Sequence, residues 1–439
     1  MADLASVKTL NQLYDSTDIM YTDRRIFYLK ENYLAELWAN ASVFTNFSAQ
    51  CKTINDSPDV DYKMFEHKAF WVDNFKAYYT SGGTTLAADT ADAGILINTT
   101  SGGSSGPTRA GIVGTVVEIW NAAETAKKAV AIVTAASTST SGDTVTIRPV
   151  WVGSSTSQVA GDVWHVIGSA SEESSTSPAA ISDDITYRWN SCQEFETPVE
   201  MSNLALKAKM RPVNEWSRLV ADQGEAHKMK VERSILLSAR RGSTSSAADL
   251  TGAPDHVVGA NSLLTRTTAG FIPIMEEDYA AATEAPRLFN ITKATYTWAS
   301  FCEDMKNIAY YQENQTPLYL FHGADVGVFF DSAAVNGFMG DGSRISIQPE
   351  TVDTFGFNIR KLYTSECELR LVRTPALRGR YSGYGCVVDP RYVGIVKFFP
   401  DQYKTNLQAN DAKKRKDEYY SCLGFLFNLV EKHALLKFS

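Results

Sequence analysis

Residues 213–241 constrain the fold more than any other stretch of this chain. Trp216, Leu219, Val220, Met229, Ile235, Leu236 and Ala239 supply apolar positions at helical spacing. Glu225, Lys228, Glu232 and Arg233 are expected on the other side, where charges three and four residues apart can pair. Pro212 is compatible with a helix start, Asn214 is a candidate cap, and Gly242 marks a stop, with Arg240 and Arg241 beside the negative helix end. Such a helix is about 40 Å long at 1.5 Å per residue, and it organises whatever fold contains it. Gly224, inside it, costs roughly 1 kcal/mol against alanine and marks a place for a bend.

The composition before this helix is different. Gly, Ser and Thr cluster at 81–108, 137–142, 153–157 and 169–177, and such stretches suit loops. Between them lie β-rich runs at 112–120, 128–134, 144–152 and 162–167, which predict a small sheet or barrel. Ile119, Trp120, Val130, Ile132, Ile147 and Val166 are the candidates for its core. Upstream, Ile26, Leu29, Tyr33, Leu37, Ala41 and Phe44 recur at steps of three and four, so 21–47 reads as a helical arm that Asp23 could cap. After the long helix, 298–314 and 324–339 read as helices. Residues 317–321, 357–363, 368–373, 385–388 and 393–398 read as strands. The apolar end, 419–437, fits either a strand pair or a helix. The whole is a mixed α+β chain of two or three domains.

Charge and chemistry narrow the function. Fifty acidic against 42 basic residues give a net charge of −8, the wrong sign for a sequence-general nucleic-acid binder, though compatible with a container that does not grip DNA. The six cysteines (Cys51, Cys192, Cys302, Cys367, Cys386, Cys422) show no metal or redox spacing and read as free, mostly buried thiols from a reducing cytoplasm. No phosphate loop, nucleophile elbow or zinc-binding helix motif is present. His67, His165, His227, His256, His322 and His433 lie far apart and read as surface or hydrogen-bonded core residues. The Gly-rich piece 336–342 reads as a plain turn. The run Lys413, Lys414, Arg415 and Lys416, followed by Asp417 and Glu418, reads as a solvated or subunit-facing segment. No apolar run is long enough to span a bilayer, and the start lacks the features of a signal peptide. The expectation is no catalytic, cofactor or metal site and no membrane.

The order of an arm, a β-rich insertion, a long helix and a mixed domain resembles the major capsid proteins of tailed phages, the Hong Kong 97 type. The resemblance is carried by 168–242. There Gly168 and the Ser/Glu run after it, then Tyr187–Arg188–Trp189–Asn190 and Phe195–Glu196–Thr197–Pro198, lead into the long helix. Gly383–Tyr384–Gly385–Cys386 through Asp389–Pro390–Arg391–Tyr392 is similar to the family's late strand and turn. The resemblance implies an α+β capsid fold with a spine helix (213–241), an extended β-loop and a β-rich insertion. Its regions would be an N-terminal arm (1–50), the extended loop (51–200) with its insertion (108–170), a peripheral domain (201–290, with a return at 396–439) and an axial domain (291–395).

It also implies a self-assembling subunit of an icosahedral head that forms hexamers and pentamers. Such a shell would enclose double-stranded DNA without sequence-specific binding, in a virion built in the host cytoplasm. Scaffolding, portal and decoration proteins would be its partners. No long charged coiled-coil segment at the N-terminus serves as a fused scaffold, so a separate scaffold, or none, is expected. The alternative from another class is a decoration or adhesion protein whose Ser/Thr-rich β segment binds a surface receptor. A hydrolase with an unrecognised site is disfavoured by the scattered histidines.

Overall fold

The computed structural model describes residues 42–67, 76–82, 86–98, 109–139, 142–154, 157–173, 185–207, 215–240, 257–258, 263–278, 287–310, 312, 316–336, 348–349, 360–363 and 367–439. Most of the expected helical arm, Pro212 and Asn214, Arg241 and Gly242, His256 and residues 337–342 lie outside them. The chain divides into two units. One comprises residues 1–66 and 187–439, and the other residues 67–186.

In the first unit the long helix spans Glu215–Leu237. It ends before Arg240, because Gly270 closes on its last turn: the Gly270 N–H donates to the Ser238 carbonyl at 2.6 Å, and a side chain on Gly270 would collide with the carbonyls of Ser234 and Ile235. Arg240 is fully buried and is not an exposed charge at a helix end. The helix shares a core with a four-stranded sheet ordered Thr53–Ile54, Val393–Lys404, Lys414–Phe427 and Gln193–Ser202. Val231, Ile235 and Leu236 from the helix meet Phe195, Leu423, Phe425 and Phe427 from the strands. Phe44, Phe47, Phe271 and Phe321 interlock with them at ring centroid distances of 4.9–6.1 Å, the tilted and edge-on arrangements that aromatic quadrupoles favour.

A seven-stranded sheet follows, ordered Leu288–Ile291, Ala434–Phe438, Tyr384–Val388, Leu318–His322, Glu368–Arg373, Arg360–Tyr363 and Gln348–Pro349. It reaches past the 291–395 region by taking its second strand from the end of the chain. Every residue of Leu318–His322 is buried, and the two-residue alternation of a strand sorts them. Tyr319 and Phe321 enter the core beneath the long helix, while Leu318 and Leu320 enter a second core with Phe301, Met305 and Phe330 from helices Trp298–Ala309 and Ala324–Asn336. The ambiguous 419–437 run resolves into strand, short 3-10 turn and strand. Its near-continuous hydrophobicity is that of strands covered on both faces.

The second unit is a closed six-stranded barrel. Around its wall run Lys76–Ser81, Asp92–Asn98, Gly142–Val152, Lys127–Ser139, Thr115–Trp120 and Val163–Ser169, the last pairing back onto the first. Four strands match the β-rich runs read from the sequence. Two, Lys76–Ser81 and Asp92–Asn98, lie in or beside the stretch read as loop, and they complete the wall. The interior is filled by Ala77, Ala129, Ala131, Val133, Ile95, Ile97, Val117, Ile119, Ile147 and Trp164. Ile119 and Ile147 are core residues as expected. Trp120, Val130, Ile132 and Val166 are only half-buried. Between Ala129 and Val133 it is the small odd-numbered residues that point inward, because the cavity of so narrow a barrel has no room for bulk on every strand.

Candidate functional site

In the first unit a groove of about 620 Å3 lies between the long helix, the short helix Val43–Cys51 and the four-stranded sheet. Its floor is set by Gly224. A methyl group there would come within 3.2 Å of the Tyr419 hydroxyl, so glycine lets the Tyr419 ring lie this close to the helix and a larger residue would push it back by a few tenths of an ångström. That hydroxyl donates to the Val220 carbonyl at 3.2 Å. Gly224, expected as a bend, is thus the seat of an aromatic contact.

Glu232 is the feature that sequence reasoning missed. Helical spacing puts it on the charged outer face, yet it is fully buried. Its carboxyl accepts from the Phe44 N–H at 2.9 Å, the Thr45 N–H at 2.7 Å and the Thr45 hydroxyl at 2.6 Å. Ser42, at the cap position of the short helix, makes no side-chain cap bond, so a residue 187 positions from Thr45 does this work, satisfying N–H groups that a helix start leaves open. Burial raises the Glu232 pKa above the usual carboxylate value, against the opposing pull of these donors.

At the groove wall, His227 Nε2 lies 2.9 Å from Ser421 Oγ, and its Nδ1 lies 3.1 Å from Thr197 Oγ1. This is the nearest approach to a hydrolytic dyad among the contacts of the groove. A serine–histidine pair needs a third group, usually a carboxylate, to orient the ring and to stabilise the imidazolium formed in reaction. Here the second nitrogen meets a threonine hydroxyl, and Lys230 donates to that hydroxyl at 3.0 Å. Burial, with Lys230 adding to it, lowers the His227 pKa. The charged ring is disfavoured where catalysis would require it, so the arrangement ties helix to sheet by neutral hydrogen bonds.

The other residues singled out from the sequence are dispersed. Cys192, Cys367, Cys386 and Cys422 are buried free thiols, and Cys51 and Cys302 are half-buried ones. His433 is buried, with Nδ1 accepting from the Asp389 N–H at 3.2 Å. His322 is buried against the Gly323 carbonyl, His165 is half-buried in the barrel, and His67 is exposed. In the basic run, Lys414 and Lys416 pair with Glu200, and Arg415 pairs with Asp417 and lies over the Trp216 ring. These three cations are held by two carboxylates, Glu200 being shared by both lysines. Among the described residues, no group of three or more His, Cys, Asp or Glu side chains could hold a metal ion. Among them, too, no helix is long and apolar enough to cross a membrane.

Comparison with known proteins supplies what the groove does not. No curated protein sequence matches the chain. Among solved structures, a chain of Mycobacterium phage Patience is similar at 12% identity and a TM-score of 0.39, over 62% of this chain and 77% of that one. The capsid of Myoviridae phage XM1 gives 11% and 0.38 over 62% and 81%. The satellite phage P4 procapsid gives 11% and 0.35 over 62% and 79%. These overlaps are too low to carry weight by themselves. The family model for the SU10 major capsid protein, in contrast, matches residues 40–438, nearly the whole chain. The chain belongs to the SU10 major capsid protein family: it is a capsid protein, a structural subunit that forms a shell with copies of itself.

Proposed function

We propose that this subunit forms the hexamers and pentamers of an icosahedral head enclosing double-stranded DNA, made in the host cytoplasm and assembled with separate scaffolding, portal and decoration proteins. The family match over residues 40–438 carries this reading. It also sets aside the decoration or adhesion alternative. The net charge of −8 supports a wall that contains DNA without binding it in a sequence-specific way. In this reading no side chain is catalytic. The regions work as an arm (1–50), an extended loop (51–200) carrying the barrel, a peripheral domain organised by the long helix, and an axial domain (291–395).

The test is negative-stain microscopy of the full chain, purified alone and after co-expression with the other head proteins of its phage. Closed shells, tubes or six-fold rings are expected. A chain that stays monomeric at high concentration, across a range of salt and in the presence of those proteins, would refute the proposal.

A further inference from the structure

Two helices turn one face each toward the groove beside the long helix. On the long helix Ala221, Gly224, Glu225, Lys228 and Val231 line it, at the three- and four-residue steps of a single helical stripe. From Ala221 to Val231 that stripe runs about 15 Å. On the short helix Ser42, Thr45, Asn46 and Ala49 line it, while Val43, Phe44, Phe47 and Ser48 are buried on the other side. Ile395, Tyr419 and Leu423 add apolar surface from the sheet. The charged lining residues already pair, Glu225 with Lys228 and Lys397 with Asp401. What the groove offers a ligand is therefore shape and apolar surface, kept deep by the small side chains at 49, 221 and 224.

The chain itself enters at this groove. Ser42 lies on its rim, two residues from Phe44, whose N–H donates to Glu232, so it stands at the Val231 end of the stripe. With φ −84° and ψ 68° Ser42 is not helical, and the chain changes direction there. Residues 1–41 precede it and lie outside the described residues. Their sequence and their tether are nonetheless fixed. Leu34, Leu37, Trp38 and Ala41 recur at helical spacing, Asn32, Glu36 and Asn40 fall on the opposite side, and 21–41 contains no Gly or Pro. As a helix, Leu34 to Ser42 would span about 12 Å, close to the length of the stripe. A segment bonded to the rim reaches at most about 3.5 Å per residue from it. So short a tether sets an effective concentration on the order of millimolar or above, which no free partner matches at ordinary protein levels.

We propose that the groove is the seat of residues 32–41 of its own chain, folded back from Ser42 with Leu34, Leu37, Trp38 and Ala41 against the lining. The segment covers apolar surface on both sides of the contact, which is the source of its stability. Trp38 takes the part nearer Val231, and Leu34 the part nearer Ala221.

The experiment uses the full chain as dilute free subunits, so its outcome does not depend on shell formation. Leu34→Cys is combined with Ala221→Cys, and Ala221 is exposed, so a thiol there leaves the core intact. Mild oxidation should give a 34–221 disulfide within one chain, identified by peptide mass spectrometry and unchanged in yield on dilution, and neither single variant should give it. Independently, chymotrypsin should cut slowly at Trp38 in the unaltered chain. In Leu34→Glu combined with Leu37→Glu, and in Ala221→Arg, which obstructs the groove from the other side, that cut should be about ten-fold faster, because cleavage follows the population of the open form. Cleavage elsewhere should keep its rate, which a misfolded variant would not do. Rapid cutting at Trp38 in the unaltered chain, together with no 34–221 disulfide, overturns the proposal and leaves the groove to a separate partner. A 34–221 disulfide that joins two chains and fades on dilution overturns it in favour of a segment supplied by a second copy.

Discussion

The helix-backed sheet and the barrel solve the same problem with opposite materials. Beneath the long helix the core is aromatic: Phe44, Phe47, Phe271, Phe321, Phe425 and Phe427 fill it, and long-range polar contacts such as Glu232 to the Phe44–Thr45 backbone hold the pieces in place. Inside the barrel the filling is alanine and branched aliphatic residues around Trp164, and the strands are held by a hydrogen-bonded wall that closes on itself. An open assembly of helix and sheet tolerates large side chains because its layers can separate to fit them. A closed wall fixes its own radius, so side-chain volume must follow the wall.

The largest expected effect breaks one region and spares the other. Ile235 is fully buried under the long helix. Ile235→Asp places an unpaired carboxylate there, at a cost of about 4 kcal/mol or more. Soluble full-length subunit should largely be lost, and limited proteolysis should leave a resistant fragment close to 67–186. If that fragment is digested as fast as the rest, the two units do not stand apart.

Acid should discriminate between them next. His433 is buried among Phe271 and Phe427, and burial pushes its pKa down to about 4. The folded state keeps the ring neutral while the unfolded chain protonates near 6.5, so stability is present at neutral pH and is lost as pH falls from about 6.5 through about 4. Each pH unit between those two values is worth roughly 1.4 kcal/mol, and the whole loss is of order 3 kcal/mol. Denaturant melts against pH should show this slope, and His433→Asn, less stable at pH 7, should show a flatter one. The barrel's described histidine, His165, is only half-buried. Its strands should therefore keep their protection from hydrogen exchange to lower pH.

A smaller effect probes the fixed radius. Ala131 points into the barrel and is fully buried. Ala131→Leu should cost about 1–3 kcal/mol by overpacking, with the damage confined to the barrel in hydrogen-exchange mapping. The smallest is its neighbour. Val130 faces outward on the same strand, and Val130→Thr should change the melting of dissociated subunits by less than about 0.5 kcal/mol. Similar costs at 130 and 131 would mean that the strand's inward and outward faces are misassigned.

That last pair also shows what is legible in the sequence. The long helix, four barrel strands and most later elements follow from periodicity and β-branched runs. The inward face of Lys127–Ser139 does not, because both faces of that strand are apolar and the bulkier set, Val130 and Ile132, is the outer one. Strands Lys76–Ser81 and Asp92–Asn98 are obscured by the Gly, Ser and Thr around them, since pairing on both sides in a closed wall overrides weak local preference. Glu232 looks like a surface charge because its partners, Phe44 and Thr45, are distant in sequence. No local pattern announces such a cap. The Gly224 seat is visible as an anomaly but not as a purpose, which needs Tyr419 to be placed opposite it.

The position of Gln193–Ser202 at the edge of the four-stranded sheet, with no further strand beyond it among the described residues, has a bearing on life in a crowded cell. A capsid subunit accumulates in many copies before it is used, and a bare strand edge would let those copies zip together in arrays that cannot be undone. This edge carries Pro198, which has no N–H to offer, and exposed Glu194 and Glu196 just before it. Backbone-to-backbone association is thereby blunted. Recognition between copies is left to side-chain surfaces, whose weaker bonds can break and re-form until a misplaced subunit is expelled.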